Sequence, residues 1–437
     1  MSDPAIVQTP MQRFTRQAMV ILRARFLFGL LNMLSAAIAW RAVGPEVFGI
    51  IVLLQAYTRL TSSLCRFQTW ASVVRYGPDP AADGDTDRLG RLIGFTLRLD
   101  IIGFALTFAV MILAAPLFAR WLQFPPGADA MIPLFALSAP FIIIATGNGI
   151  LQLFEQAGAL AWQHALNAIF RFLGVCGIFL FGGGLVGLSV VWVTASILSG
   201  AYMIGRAIQE LRIRNIRPKL LGRWRNLTEG FDNIWRFSIM VNASSLLEKV
   251  VSQLTVLLIG GFLGPAAAGL FGIVRQVTEA IGKLGTVLAP IIFPHVALMA
   301  SRQDHTQLRR ILRRILITFG AGLSSLFLIL SITAEPLLIT VFDSSAAEGA
   351  PLLVVMGAAA SLIVVGFALD PIMLSMGRDR ELLALAFVVT TIYLVLAIIG
   401  LNTVGLIGVG AALLFRQVIM FGGRLWMVNR YLRATKG

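Results

Sequence analysis

Unbroken apolar runs of about 20 residues recur from one end of this chain to the other. No other feature narrows the fold as much, because each run is long enough to cross a bilayer's hydrocarbon core as one helix. A membrane barrel needs stretches of about ten residues with alternating polarity, and these runs do not alternate. Charged residues make up only 13% of the 437 and apolar ones 57%, where a soluble domain is roughly a quarter charged. The chain therefore reads as an all-α polytopic membrane protein. About twelve transmembrane helices are expected, near residues 23–43, 47–67, 92–115, 131–153, 160–181 and 186–208, and again near 237–262, 267–299, 311–333, 351–374, 382–401 and 406–428.

Alternate connections differ in charge. Arg13 and Arg16, residues 75–91, the RQDHTQLRRILRR segment from Arg302, GRDRE from Gly377 and the tail at 430–436 are basic. Most basic of all is the connection 206–236, with eight Lys or Arg. In the intervening connections only Arg120 stands out. The positive-inside rule then puts the basic set and both termini in the cytoplasm, as an even number of spans requires. It also accounts for the net charge of +15 without nucleic acid. The first sixteen residues show no cleavage pattern for a signal peptide. Cys65 and Cys176 sit inside apolar runs and imply neither disulfide nor metal; His164, His295 and His305 are too scattered for a metal site. No cofactor is expected.

One unit is written twice. AVGPEVFG places Gly44, Pro45 and Gly49 at an offset of 220 from Gly264, Pro265 and Gly269 in FLGPAAAGLFG. Pro116-Leu117 against Pro336-Leu337, Gly147 and Gly158 against Gly366 and Gly377, and Val186-Gly187-Leu188 against Val404-Gly405-Leu406 keep nearly the same spacing. The expected organisation is an N-terminal six-helix bundle (1–208), a basic connector (209–236) and a C-terminal six-helix bundle (237–437). Six spans per copy is even, so the copies keep one orientation, related by a pseudo-two-fold along the membrane normal with a cavity between them.

Charge occurs where hydrocarbon is expected. Arg275, Glu279 and Lys283 recur every four residues and share a helical face. At the repeat offset Arg59 falls opposite Glu279, on a face with Gln55, Ser62 and Arg66. The seventh span carries Ser238, Asn242, Ser245, Lys249 and Ser252 on one face, and the first carries Arg25, Asn32 and Ser35. Single Ser and Asn residues often join helices. A mid-helix Arg or Lys costs roughly 2.5–3.5 kcal/mol in lipid, so several must pair or line water. One cation about 4 Å from a diphosphate contributes roughly 4 kcal/mol at an effective dielectric of 20, before desolvation. The expected ligand-contacting residues are Arg59, Lys249, Arg275, Glu279, Lys283, Arg25 and Asn242. Arg98, Asp100, Arg171 and Arg416 are further intramembrane charges without a partner on their own helical face.

RAVGPEVFG (41–49) and GGFLGPAAAGLFG (260–272), with VGL before the sixth and twelfth spans, resemble the polysaccharide transporter (Wzx-type oligosaccharide flippase) family. That family belongs to the MOP superfamily, shared with MATE-type multidrug extrusion proteins and the lipid II flippase. The resemblance implies a V-shaped pair of bundles in the bacterial inner membrane. It also implies alternating access that moves undecaprenyl-diphosphate-linked oligosaccharide to the periplasmic leaflet through a cationic cavity, for exopolysaccharide, O-antigen or capsule biosynthesis. The partners it implies are the lipid-linked oligosaccharide, membrane lipids, and a glycan polymerase and chain-length regulator of the same pathway. The chain departs from the family at Thr255, where many relatives carry an acid; Glu248 lies two turns earlier.

Two other classes make different demands on the sequence. A cation-coupled exporter of drugs or metabolites on the same scaffold predicts acids in the cavity, whereas here bases outnumber them. A membrane enzyme acting on lipid-linked sugars predicts a large outer loop with acid/base residues. The longest outer connection, 116–130, holds Asp129 alone, and no nucleotide-phosphate loop or His-Glu-x-x-His stretch occurs. The chain is expected not to be an enzyme.

Overall fold

A computed structural model describes residues 10–143, 145–282, 305–366, 369, 372–373 and 379–434; within these, the side chains of 10–26, 143, 243–245, 247–248, 305–309, 311–312, 315, 319, 323–324, 326, 379–380 and 431–434 are not described. All regular structure among the described residues is helical. In chain order it comprises α1 (Pro10–Cys65), α2 (Thr69–Tyr76), α3 (Pro78–Ala82), α4 (Thr86–Leu113), α5 (Ala115–Trp121), α6 (Met131–Ile143), α7 (Thr146–Leu153), α8 (Ala157–Phe181) and α9 (Gly184–Ile213). It continues with α10 (Trp224–Thr228), α11 (Ile234–Leu263), α12 (residues 265–282), α13 (His305–Val341), a 3-10 turn (Ser344–Gly349), α14 (Ala350–Val365), α15 (Asp379–Thr403) and α16 (Leu406–Ala434).

Among the described residues, nine helices are long and apolar enough to cross a membrane. The expected twelve is not reached by that tally, for identifiable reasons. The first two expected spans merge into one apolar stretch, Leu27–Cys65, of 39 residues. As a straight helix it would be about 58 Å long, nearly twice the hydrocarbon thickness. It is not straight: Gly44 adopts φ 78°, ψ 170°. Trp40 and Phe48, on either side of it, bring their ring centroids to 5.7 Å, whereas residues eight apart in a continuous helix are separated by about 12 Å. In α11 the apolar piece Lys249–Leu263 directly follows side chains outside the description. The eighth expected span runs past residue 282, outside the described residues.

The chain divides into two compact units that are discontinuous in sequence. This is a different partition from the duplicated halves, whose bounds at 208 and 237 remain expectations from the repeat. The first unit draws on Met1–Ser35, Leu64–Ile112 and Pro133–Ser245. Its core packs Leu92, Phe95 and Leu99 of α4 against Ile150 of α7, Met203 of α9, and Leu227 and Phe231 beyond it. The basic connector belongs to this unit as a bound strap. Lys219 N donates to the Gly90 carbonyl at 3.0 Å, Lys219 Nζ pairs with Asp87, and Arg98 donates to the carbonyls of Leu220 and Gly222. Gly90 and Gly94, one turn apart on α4, make this possible: a Cβ there would stand 2.4 Å from the Arg217 oxygen and 2.1 Å from that of Lys219.

The second unit comprises Ala36–Ser63, Leu113–Ile132 and Leu246–Gly437. Here the two copies of the Gly-Pro turn meet. Gly264 repeats the positive φ of Gly44, at 86°. A Cβ on Gly49 would lie 1.8 Å from the Pro265 carbonyl oxygen, and one on Gly269 would lie 2.9 Å from that of Pro45. Each copy's glycine thus seats the other copy's proline, so the backbones touch without side chains between them. The Val-Gly-Leu pair is less faithful: Gly405 has φ 73°, whereas in the first copy the left-handed residues are Gly182 and Gly184, one turn before Gly187. The connection after residue 114 folds partly into α5, where Phe118 meets Tyr57 at 4.1 Å and Trp121 covers Gly261.

Candidate functional site

The second unit gathers polar side chains at mid-helix. Counted from Gly264, Arg275 lies about 16 Å along α12, half the hydrocarbon thickness. Its Nε sits 3.4 Å from Glu279 Oε1. The buried Nη1 has no hydrogen-bonding acceptor among the described residues. At the matched positions of α1, Arg59 Nη2 donates to Gln55 Oε1 at 3.3 Å. Arg59 is within electrostatic reach of both Arg275 and Glu279. The repeat therefore keeps one geometry, a polar pair four residues apart, and changes its charges. The side chains of Arg59 and Glu279 have accessible surface and Arg275 is half-buried. Exposure to lipid tails would cost each several kcal/mol, which favours a water-accessible face.

Two residues join this cluster that periodicity alone did not assign. Tyr393 of α15 is within electrostatic reach of Arg275 and Arg416, and the Arg416 guanidinium lies 5.9 Å from its ring centroid. The Tyr393 hydroxyl meets Thr255 Oγ1 at 2.8 Å, and Thr255 also bonds to the Val251 carbonyl at 2.9 Å. Position 255 thus holds one of a buried pair of hydroxyls beside cations. Arg416 was legible as a cation in an apolar run with no acid on its own helical face. Nothing in the sequence distinguished Tyr393 from an aromatic core residue.

The other expected site residues fall variously. Lys249 and Asn242 are half-buried on α11 and each interacts with neighbours. Arg25 lies on α1 with its side chain outside the description, and Lys283 lies outside the described residues, as do the side chains of Ser245 and Glu248. Asn32 and Ser35 bond back to the carbonyls of Phe28 and Leu31 in their own helix. Ser238 joins helices, meeting Ser72 Oγ at 3.0 Å. In the first unit Asp100 is buried and accepts from Thr69 Oγ1 at 2.7 Å and from Thr146 N at 2.9 Å, with Arg66 in electrostatic reach. Its partners are thus on other helices. Arg171 stacks on Trp192. Among the described residues no group of His, Cys, Asp and Glu could hold a metal ion.

Comparison with known proteins agrees with this architecture. The inner membrane protein YghQ of Escherichia coli K12 is 26% identical over 313 residues, covering 72% of this chain and 88% of YghQ. An inward-facing multidrug resistance MATE family transporter of the MOP superfamily superposes with a TM-score of 0.74 at 16% identity, over 96% of this chain and 99% of that one. The lipid II flippase MurJ, in an inward closed conformation, gives 0.69 at 14% identity, over 94% and 87%. The two structural likenesses show the fold, an all-helical one shared over nearly the whole chain. A family model described as polysaccharide biosynthesis protein matches residues 14–299. A helical protein with several spans long and apolar enough to cross a membrane, the chain belongs to the polysaccharide biosynthesis protein family.

Proposed function

We propose that this protein flips undecaprenyl-diphosphate-linked oligosaccharide from the cytoplasmic to the periplasmic leaflet by alternating access. Both termini would be cytoplasmic, and the carried glycan would be destined for exopolysaccharide, O-antigen or capsule. The observation that supports this reading is the mid-helix cluster of Arg59, Arg275 and Glu279, with Arg416 beside it, in which cations exceed acids and the Arg275 Nη1 has no protein acceptor among the described residues. A diphosphate supplies the missing acceptors, and charge-assisted bonds to guanidinium are the strong kind. The lipid tail stays in hydrocarbon while the head group passes the cations. The polysaccharide family and the fold shared with a lipid II flippase support the same reading. A glycan polymerase and a chain-length regulator would act on the delivered product.

Proteoliposomes containing the protein and a fluorescent lipid-linked oligosaccharide test this. Leaflet exchange should exceed that of empty vesicles and should fall when Arg59 and Arg275 are both replaced by Gln. Exchange no faster than in empty vesicles, at verified insertion, would remove the proposal. Export of organic cations is the second reading, favoured by the TM-score of 0.74 to a multidrug transporter. Saturable binding of such cations, with none of the oligosaccharide lipid, would select it.

A further inference from the structure

The first unit holds a further pair of arginines, at a cleft between α2 and α11. A cleft of about 450 Å³ is lined by Arg75 and Tyr76 at the end of α2 and by Asn233, Arg236, Phe237, Met240 and Val241 at the start of α11. Its walls are fixed. Tyr76 Oη donates to the Asp232 carbonyl at 2.9 Å, and its ring meets Phe237 edge-on at 5.7 Å. Below, Ser72 and Ser238 join the two helices by a buried bond of 3.0 Å. The Arg75 guanidinium rests on the Phe237 ring at 4.4 Å and beside Tyr76 at 5.4 Å. Such stacking orients a guanidinium while leaving its in-plane N–H groups open. Arg75 and Arg236 are both exposed, and among the described residues neither has a carboxylate partner. The cleft floor continues into Met240 and its exposed neighbour Ile239, at 60% and 58% exposure.

We propose that this cleft binds an anionic phospholipid of the cytoplasmic leaflet, the two guanidinium groups taking the phosphate and the Met240 side taking the first methylenes of an acyl chain. The leaflet rests on the orientation proposed above, in which residues 75–91 and the connector face the cytoplasm. The chemistry of the cleft does not depend on that orientation. Two unpaired cations at the boundary between a polar strap and a lipid-exposed helix face are what a phosphodiester attached to an alkyl chain requires, and basic pockets between membrane helices on this side are suited to such head groups. The volume accommodates a head group and the start of a chain; the remaining chain would run along α11.

The test uses the full-length protein in neutral detergent, with fluorescent phosphatidylglycerol as probe and phosphatidylcholine as its neutral counterpart. Phosphatidylglycerol should bind preferentially. Arg75→Gln and Arg236→Gln should each weaken it about fivefold, and the double variant about 25-fold. Arg236→Gln touches no ring contact, so it tests the site even if Arg75→Gln disturbs the fold. Arg275→Gln should leave this binding unchanged, which separates failure here from failure of the transport reading. Equal binding of both lipids, or unchanged affinity in the double variant, would overturn the assignment. So would displacement by millimolar inorganic phosphate, which would mean a free-anion site, or much tighter binding of polyprenyl diphosphate, which would make the cleft a cargo site.

Discussion

Replacing Gly49 by Ala tests whether the two copies of the repeated turn cross in backbone contact. The added methyl would stand 1.8 Å from the Pro265 carbonyl oxygen and 2.5 Å from its carbon. Carbon needs roughly 3.5 Å from such neighbours, so the helices must separate locally by more than about 1.5 Å. Neither obstacle is a side chain that can swing aside. Overpacking costs about 1–3 kcal/mol, and a backbone obstacle places Gly49→Ala at the upper end or above it. At the reciprocal position the same methyl would be 2.9 Å from the Pro45 oxygen. A shift of several tenths of an ångström relieves that, so Gly269→Ala should cost about 1 kcal/mol. Gly158 of α8 has nothing within 4 Å of its virtual Cβ. There Ala should be neutral or stabilising by up to about 1 kcal/mol through helix propensity. Thermal unfolding of the three purified variants in detergent reads the order. Melting of Gly49→Ala with the wild type, or below-wild-type stability only in Gly269→Ala, would refute the crossing geometry.

The remaining predictions concern single groups. Gly264 has φ 86° but open space around its Cβ, so Ala there should cost about 1–2 kcal/mol through backbone strain alone. Asn, which tolerates that region, should cost less, and equal melting of the two variants would exclude this cause. Arg275→Ala should slow leaflet exchange about 10- to 100-fold, the part of a roughly 4 kcal/mol Coulomb attraction left after desolvation, while insertion measured by membrane fractionation is unchanged. Gln55→Glu would give Arg59 a carboxylate four residues earlier, worth about 0.3–0.5 kcal/mol to the helix; thermal stability should hold or rise while exchange falls. Asp343 lies between spans and starts the 3-10 turn. Burial pushes its carboxyl up, but bonds from Ser345, Trp40 Nε1 and Ala346 outweigh this and hold it below the usual range. Its contribution is therefore fully present above about pH 4 and is lost as the pH falls below that. Asp343→Asn should flatten the acid side of the stability profile, and an unchanged acid transition would show that this cap contributes nothing.

The fold class was legible because hydrocarbon length and backbone satisfaction act on every span alike. The turns were legible for a related reason. Gly44 and Gly264 answer a backbone requirement, and such a requirement repeats at a fixed offset whatever surrounds it. What local pattern could not reveal was the reciprocal seating of Gly49 on Pro265 and Gly269 on Pro45, because that contact joins segments more than 200 residues apart. The same limit applies to Asp100 and Arg98. Their helical faces showed only that partners must lie elsewhere, and the structure supplies α2, α7 and the connector backbone. The contacts of the basic connector were not legible either, because it is charge-rich and lacks apolar periodicity. Gly90 and Gly94 let its backbone lie directly on α4. A hinge there would have to break the Lys219–Gly90 and Arg98–Leu220 bonds.

The matched polar pairs separate two explanations of the mid-helix charges. A purely structural ion network gains from neutrality, since each unpaired charge away from water is costly. The second copy moves toward that condition, with Arg275 against Glu279 at 3.4 Å. The first does not: at the position matching Arg275 it has the neutral Gln55, which leaves the charge of Arg59 uncancelled on its own helix. An acid at position 55 would remove the excess through a favourable four-residue pair, without disturbing any other contact. Among the described residues, Gln there leaves a positive surplus at a place where stability alone favours a carboxylate. That surplus is what an anionic head group needs and an organic cation avoids.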